Sequence, residues 1–166
     1  MQPVTIEPRL VYKDKDPKAL QALSKIHEYL HHSAIEPGLL DLVYVRASQI
    51  NRCAFCIDMH TKDARARGES EQRLYMLNAW REAPLYTSRE RAALAWTEAV
   101  TVLTDGFVPD EVYEETRAQF SEQEMIELTM AIVAINSWNR INVAFRTEAG
   151  RYQVPATLAG KAGTAV

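Results

Sequence analysis

Helix-start signals recur along the chain and constrain its fold more than any other feature. Asp16 followed by Pro17 is a helix N-cap with proline at the first helical position. Ser/Thr-x-x-Glu capping boxes begin at Thr87 and Ser121. No segment shows convincing strand-type alternation of apolar and polar residues between turns. The sequence therefore predicts an all-α fold of six to eight helices.

Proline, glycine and serine mark further helix boundaries. Pro37 opens a helix through GLLDLVYVRASQI, and the next helix is expected from about Arg52 to Arg67. Gly68 then takes the usual C-cap role, and Ser70 is expected to cap a helix through EQRLYMLNAWRE. The short breaks between these helices predict a compact bundle in which consecutive helices pack together.

The last long helix contains LTMAIVAI, residues 128–135, which is apolar around most of its circumference. Such a helix must be covered on all sides, so we expect it to be central or to lie in a subunit interface. Polar residues follow abruptly: Asn136, Ser137, Asn139, Arg140 and Asn142. They indicate either a helix end that emerges into solvent or a hydrogen-bonded network at an interface or pocket.

Composition excludes several classes of function. The chain has 166 residues, 19 basic and 22 acidic, without the basic block that nucleic-acid binding requires. No stretch approaches the ~20 apolar residues that span a membrane, and the start lacks the apolar core of a secretory signal. We expect a soluble cytoplasmic protein with one domain over residues 1–153 and a flexible tail over 154–166.

The segment NRCAFCIDMH holds the only two cysteines, Cys53 and Cys56, followed by His60. A disulfide between them would close a tiny loop and contribute little stability as a staple. A zinc site would need further ligands, and the other three histidines all lie on the first predicted helix. In a reducing compartment, redox chemistry is the favoured interpretation.

The spacing alone leaves open which sulfur is the nucleophile. If Asn51 caps the helix, Cys53 lies in its first turn and both sulfurs lie on one face. The helix dipole lowers a thiol pKa there and favours Cys53. His60, four residues after Cys56, favours Cys56 instead, because an imidazole beside a thiol promotes thiolate formation.

An acid that orients His60 would complete a proton relay. Asp41 lies on the preceding predicted helix, twelve residues before Cys53, and is the natural candidate. Asp58 and Asp63 point elsewhere on the helix and are expected to be surface charges.

The run DLVYVRASQINRCAFCIDMHTKDARARG closely resembles the signature of the carboxymuconolactone decarboxylase superfamily. Within it, the run is similar to the AhpD-like alkylhydroperoxidase branch, whose pattern is E-x11-C-x2-C-x3-H. The similarity covers an active-site core at about 37–146. The resemblance implies an all-helical subunit that assembles into trimers or hexamers and reduces hydroperoxides with a cysteine pair.

Carried over by motif position, the resemblance implies a role for each residue. Cys56 would be the peroxidatic thiol, Cys53 the resolving thiol and His60 the proton-relay base. Asp41 would take the place of the relay glutamate, with one methylene fewer, and Phe55 stands where another branch has a histidine. The resemblance implies no organic cofactor and no metal, with an external dithiol, such as a lipoylated protein, as electron donor.

Three other functions stay open, one of which is a zinc-binding interaction module. A redox-sensing or thiol–disulfide exchange module would use the same cysteine pair without significant peroxidase turnover. Carboxymuconolactone decarboxylase activity is the third, and the intact C-x2-C argues against it.

Overall fold

The computed structural model describes residues 7–159, apart from the side chains of Asp105 and Ala159. Within that range the α-helices are α1 (Pro17–Leu30), α2 (Pro37–Ile50), α3 (Ala54–Ala66), α4 (Glu71–Met76), α5 (Ser88–Thr101), α6 (Asp110–Arg117), α7 (Glu122–Phe145) and α8 (Ala156–Ala159). Short 3-10 helices occupy Tyr12–Asp14, Leu77–Ala79 and Leu103–Asp105. The described residues contain no strand, and the predicted all-α class is confirmed.

Four of the predicted N-caps are observed. Asp16 Oδ1 accepts a hydrogen bond from the Ala19 N–H at 3.1 Å, and Ser70 caps α4 in the same way. Reciprocal capping boxes at Thr87 and Ser121 open α5 and α7. These side chains bond backbone N–H groups that have no partner inside the helix, which is why the sequence marks the boundaries so clearly.

The start of α3 differs from the prediction that Asn51 caps it. Asn51 is instead the C-cap of α2, and Arg52 has a left-handed backbone with φ of 56°. The Cys53 N–H donates to Ser48 O at 3.0 Å, so α2 and α3 are joined without an intervening loop. Cys53 is therefore the N-cap of α3, and Cys56 is its third residue.

Helix α7 is central and packs against α1, α2, α3, α5 and α6. Its buried residues include Leu128, Ala131, Ile132, Ala134 and Ile135. The predicted central position is confirmed. The expected covering of residues 128–135 on all sides is not seen within the described range, because Val133 is 42% exposed, and Ile126, just before this segment, is 65% exposed.

Segments at both ends of the chain pack onto this core. Residues 9–14, called the N-terminal strap below, are attached to the end of α7 by a 2.9 Å bond from Arg9 N to Phe145 O. The tail predicted over residues 154–166 begins with α8. Residues 160–166 lie outside the described part, so the flexibility of the tail stays a prediction.

The helices of residues 7–159 differ from membrane-spanning helices. None of them combines the length and the apolar character that crossing a membrane requires.

Replacing Ile132 with alanine should destabilise the protein strongly, because this side chain is fully buried in α7. We expect a loss of about 2–5 kcal/mol in the free energy of unfolding, measured by urea denaturation. Val143→Ala on the same helix is the control, since Val143 is 48% exposed and should change stability by less than about 0.5 kcal/mol. Equal losses would contradict the described packing.

Candidate active site

The cysteine pair lies at the start of α3, where the two sulfur atoms are 2.7 Å apart. Both are free thiols, and their residues are 1% and 0% exposed. The sequence-based expectation that the sulfurs face each other agrees with this geometry. Formation of a disulfide requires only a small adjustment of the first turn of α3.

The two sulfurs have different electrostatic surroundings. The pKa of Cys53 is lowered, first by the hydrogen bond with the Cys56 thiol and then by backbone N–H groups of α3, against the effect of burial. The pKa of Cys56 is raised, first by the Cys53 thiol and then by burial. The hydrogen bond between the two thiols is the largest cause in both cases, and the backbone N–H groups at the start of α3 favour charge on Cys53 as a smaller contribution.

Access favours the other sulfur. A cavity of about 900 Å³ lies between α1, the N-terminal strap and the helices α2, α3 and α7. Cys56 forms part of its wall. Apolar and aromatic side chains that include Leu20, Tyr44, Phe55, Met59 and Trp138 supply most of the exposed wall area, and polar and charged side chains supply the rest. Cys53 is not part of the wall, so a ligand in the cavity meets Cys56.

The polar end of α7 forms a hydrogen-bonded network. Asn51 Nδ2 donates to Oδ1 of both Asn136 and Asn139 at 2.9 Å. Asn139 Nδ2 in turn donates to Ser48 Oγ at 3.0 Å. Of the two interpretations of this segment, the network is correct for these asparagines, while Arg140 is exposed. The network attaches the α2–α3 turn to α7.

Asn142 connects this end of α7 to the thiols. Its Nδ2 lies 3.5 Å from Cys56 Sγ and donates to Trp138 O at 2.9 Å. Its Oδ1 accepts a hydrogen bond from the Tyr12 hydroxyl at 2.8 Å. Sequence reasoning missed Tyr12, because nothing in the local pattern links a residue near the start of the chain to the cysteine pair.

His60 lies on the same cavity wall and is only 6% exposed. Its ring packs against Tyr44 with centroids 4.9 Å apart, and its Nε2 has no hydrogen-bond partner among the described residues. Burial, followed by the charges of His27 and Arg67, lowers the pKa of His60 to about 3. The imidazole is therefore neutral at pH 7.

Asp41 also reaches the cavity, but its carboxylate is bonded to Arg67. Arg67 Nη1 lies 2.7 Å from each of the two Asp41 oxygens. Burial raises the pKa of Asp41 to about 6, although Arg67 acts in the opposite direction. Sequence reasoning did not single out Arg67. The sequence contains one signal for Arg67: it follows His60 by seven residues, a spacing that places both residues on one face of a helix.

The expectation that Asp63 is a surface charge is wrong. Asp63 is 8% exposed and accepts a hydrogen bond from the Tyr152 hydroxyl at 2.8 Å. Asp58, half-buried, accepts one from Gly150 N at 2.9 Å and pairs with Lys62 at 2.8 Å. Both acids are covered because the segment after α7 folds back over α3.

The described residues around the cysteine pair form no candidate metal site. Among residues 7–159, no group of three or more His, Cys, Asp and Glu side chains is arranged to hold a metal ion. His27, which lines the cavity, packs edge-on against Tyr44 at 5.5 Å.

Comparisons with known proteins identify the family and agree with this fold. A sequence model of the carboxymuconolactone decarboxylase family matches residues 17–99. The uncharacterised protein YdfG of Bacillus subtilis is 41% identical over 141 residues, which are 85% of this chain and 96% of YdfG. That match includes the α2–α3 region with its cysteine pair.

Solved structures give the same picture. A protein of unknown function from Agrobacterium tumefaciens, a candidate antioxidant defence protein AhpD, superposes with a TM-score of 0.85 at 42% identity, over 88% of this chain and 100% of that one. The debrominase Bmp8 superposes with a TM-score of 0.75 at 20% identity, over 83% and 74%. At that identity the likeness to Bmp8 concerns the fold alone.

The neutral state of His60 predicts a pH-dependent stability difference between the protein and a His60→Gln variant. The unfolded chain binds a proton at His60 near pH 6.5, whereas the folded chain does not until about pH 3. The folded state therefore loses stability as pH falls from 6.5, by up to about 1.4 kcal/mol per pH unit. The His60→Gln variant lacks this loss, so its stability relative to the unaltered protein should increase as the pH falls from 6.5 to 4.

Chemical denaturation at several pH values measures this difference. Asp41 is present in both proteins, so its own contribution largely cancels in the comparison. A stability difference that stays constant over this pH range would contradict a buried neutral imidazole.

Proposed function

Since the chain belongs to the carboxymuconolactone decarboxylase family, we propose that it is a thiol-dependent peroxidase. It reduces organic hydroperoxides through a dithiol–disulfide cycle of Cys53 and Cys56. The observation that carries the proposal is the pair of free sulfurs 2.7 Å apart, of which one forms the wall of a large apolar cavity.

In the first step, one of the two thiol protons leaves for solvent through His60 and Asp41, and the pair then holds one proton and one negative charge. Transfer of the shared proton from Cys56 to Cys53 generates the Cys56 thiolate beside the cavity. Two donors then face this sulfur: the Cys53 thiol at 2.7 Å and Asn142 Nδ2 at 3.5 Å. Charge-assisted hydrogen bonds of this kind stabilise an anion more than a neutral thiol.

In the second step, the Cys56 thiolate attacks the terminal oxygen of the hydroperoxide. The O–O bond breaks, Cys56 becomes a sulfenic acid and the alkoxide leaves with the proton that Cys53 held. The product is an alcohol, and Cys53 is now the thiolate. Sulfur has lost two electrons, and the peroxide has gained them.

In the third step, the Cys53 thiolate attacks the Cys56 sulfenic acid. The S–S bond forms, and hydroxide leaves and takes a proton from solvent to become water. Rapid formation of this disulfide protects Cys56 from further oxidation. An external dithiol, such as a lipoylated protein, then reduces the disulfide by exchange and is itself oxidised to a disulfide.

We assign His60 and Asp41 to proton movement in this cycle. The neutral imidazole has a ring nitrogen that can accept a proton transiently, and because its pKa is lowered to about 3 it does not retain that proton. The raised pKa of Asp41, about 6, makes this carboxyl a proton acceptor near neutral pH. The cycle requires no organic cofactor and no metal, since the external dithiol supplies both electrons.

The cavity favours organic hydroperoxides over hydrogen peroxide. Its volume of about 900 Å³ greatly exceeds the roughly 30 Å³ that one water molecule occupies, and hydrogen peroxide is only slightly larger than water. Leu20, Phe55 and Trp138 offer apolar contacts that hydrogen peroxide cannot use.

The homo-oligomer, a trimer or hexamer by family resemblance, is also part of the proposal. It is supported by Ile126 and Val133, which leave an apolar stripe of α7 exposed in a single chain. Isolated monomers at micromolar concentration would contradict it.

A second candidate function is a thiol switch that forms the same disulfide without significant turnover. The observation that favours it is the unassembled relay: His60 Nε2 has no partner among the described residues, and Asp41 is bonded to Arg67. The two functions differ in rate. A peroxidase with a dithiol donor consumes many equivalents of peroxide, whereas a switch consumes about one.

Replacing Cys56 with serine should abolish peroxide consumption, with a loss of at least about a hundredfold, because serine supplies no thiolate. In contrast, Cys53→Ser should reduce one equivalent of peroxide and accumulate the Cys56 sulfenic acid. Stopped-flow peroxide assays and dimedone labelling with mass spectrometry measure both. Retained multiple turnover in Cys56→Ser would refute the assignment.

Filling the cavity should reduce the preference for bulky substrates. We expect the kcat/KM for cumene hydroperoxide to exceed that for hydrogen peroxide at least tenfold, and Leu20→Trp to lower this ratio. Ala22→Trp, on the exposed face of α1, is the matched control and should keep the ratio. A ratio near one in the unaltered protein would contradict a substrate role for the cavity.

A further inference from the structure

The N-terminal strap brings a buried hydroxyl to the thiol site. Arg9 bonds the end of α7 through its backbone N–H to Phe145 O at 2.9 Å and its Nη1 to Ala144 O at 3.1 Å. The Tyr12 ring packs against Phe145 with centroids 5.6 Å apart, and Tyr12 is only 8% exposed. The strap precedes residues 17–99, which the family model matches.

The hydroxyl of Tyr12 fixes the orientation of an amide. Asn142 Oδ1 accepts from Tyr12 at 2.8 Å, while Nδ2 faces Trp138 O at 2.9 Å and Cys56 Sγ at 3.5 Å. An amide oxygen only accepts and an amide nitrogen only donates. If the amide were rotated by half a turn, an oxygen would face the sulfur and would repel a thiolate.

We propose that Tyr12 is a positioning residue of the thiol site. Through Asn142, its hydroxyl holds an N–H donor against Cys56 and draws the negative charge of the dithiol pair onto the sulfur that faces the cavity. The inference rests on the proposed function only in naming Cys56 as the attacking sulfur.

The two sulfurs differ in pKa and in access to the cavity, and this difference explains why Cys56 needs an oriented hydrogen-bond donor. The N-cap position stabilises charge on Cys53, which lies behind the cavity wall. The pKa of Cys56 is raised, above all by the Cys53 thiol, and the asparagines Asn139 and Asn142 act against that rise. Burial raises the pKa of Tyr12, so its hydroxyl keeps the proton that it donates.

The test compares Tyr12→Phe with Asn142→Leu and with the double variant. Phenylalanine keeps the ring against Phe145 and removes only the hydroxyl. The other titratable groups of the cavity wall stay in place: Lys13, Lys18, His27, His31, Asp41, Tyr44, His60, Asp63 and Arg67. Tyr86→Phe is the matched control, because Tyr86 is 7% exposed and its hydroxyl bonds Arg73 O away from the cavity.

The measurement is the rate of iodoacetamide alkylation against pH, with the modified cysteine identified by peptide mass spectrometry. We expect Tyr12→Phe to raise the alkylation midpoint of Cys56 by about one pH unit, so that labelling below the midpoint is roughly tenfold slower. The share of label on Cys53 should increase. Asn142→Leu should behave likewise, and the double variant should show no further shift, since both residues act through one contact.

Unshifted midpoints in Tyr12→Phe, or shifts that add in the double variant, would overturn the inference. Because the assay contains no peroxide, it distinguishes this inference from the proposed function. A chain without peroxidase turnover would still show the shift if Tyr12 positions Asn142. A peroxidase whose midpoint is insensitive to Tyr12 would overturn the inference and leave the proposed function standing.

Discussion

The junction between α2 and α3 is the constraint on which the rest of the site depends. The hydrogen bond from Cys53 N to Ser48 O, 3.0 Å long, closes the turn without a loop. Arg52 adopts a left-handed backbone conformation, which allows the chain to turn directly from α2 into α3. A residue at the N-cap and one at the third helical position then share a face of α3. The asparagine network holds this turn against α7, so the two sulfurs are fixed relative to both helices.

In this geometry, the sulfur with the lowered pKa is not the sulfur that lines the cavity. The start of α3 favours charge on Cys53, which no ligand in the cavity meets, while Cys56 faces the cavity with an unfavourable pKa. A proton shared between the sulfurs is the physical means of transferring charge from one to the other. In the proposed cycle, His60 therefore need not be a strong base, because Cys53 accepts the Cys56 proton.

Much of the fold could be predicted because its determinants are local. Caps at Asp16, Thr87 and Ser121 are short-range hydrogen bonds that the sequence itself displays. The first turn of α3 was misplaced by two residues, because Asn51 is a good cap in isolation and only the tertiary turn assigns it to α2. The contacts of Asp41 with Arg67, and of Asp63 with Tyr152, depend on packing between distant segments, which no local pattern reports.

The position of Tyr12 and Asn142 also bears on how members of one family differ. The segment that the family model matches, residues 17–99, contains both cysteines, His60 and Asp41, so it supplies the reacting atoms. The donor that faces Cys56 comes from α7, and the hydroxyl that orients this donor comes from the strap. Both lie outside the matched segment. In the proposed site, the sulfur that carries the charge therefore depends on what these flanking segments place beside the C-x2-C motif.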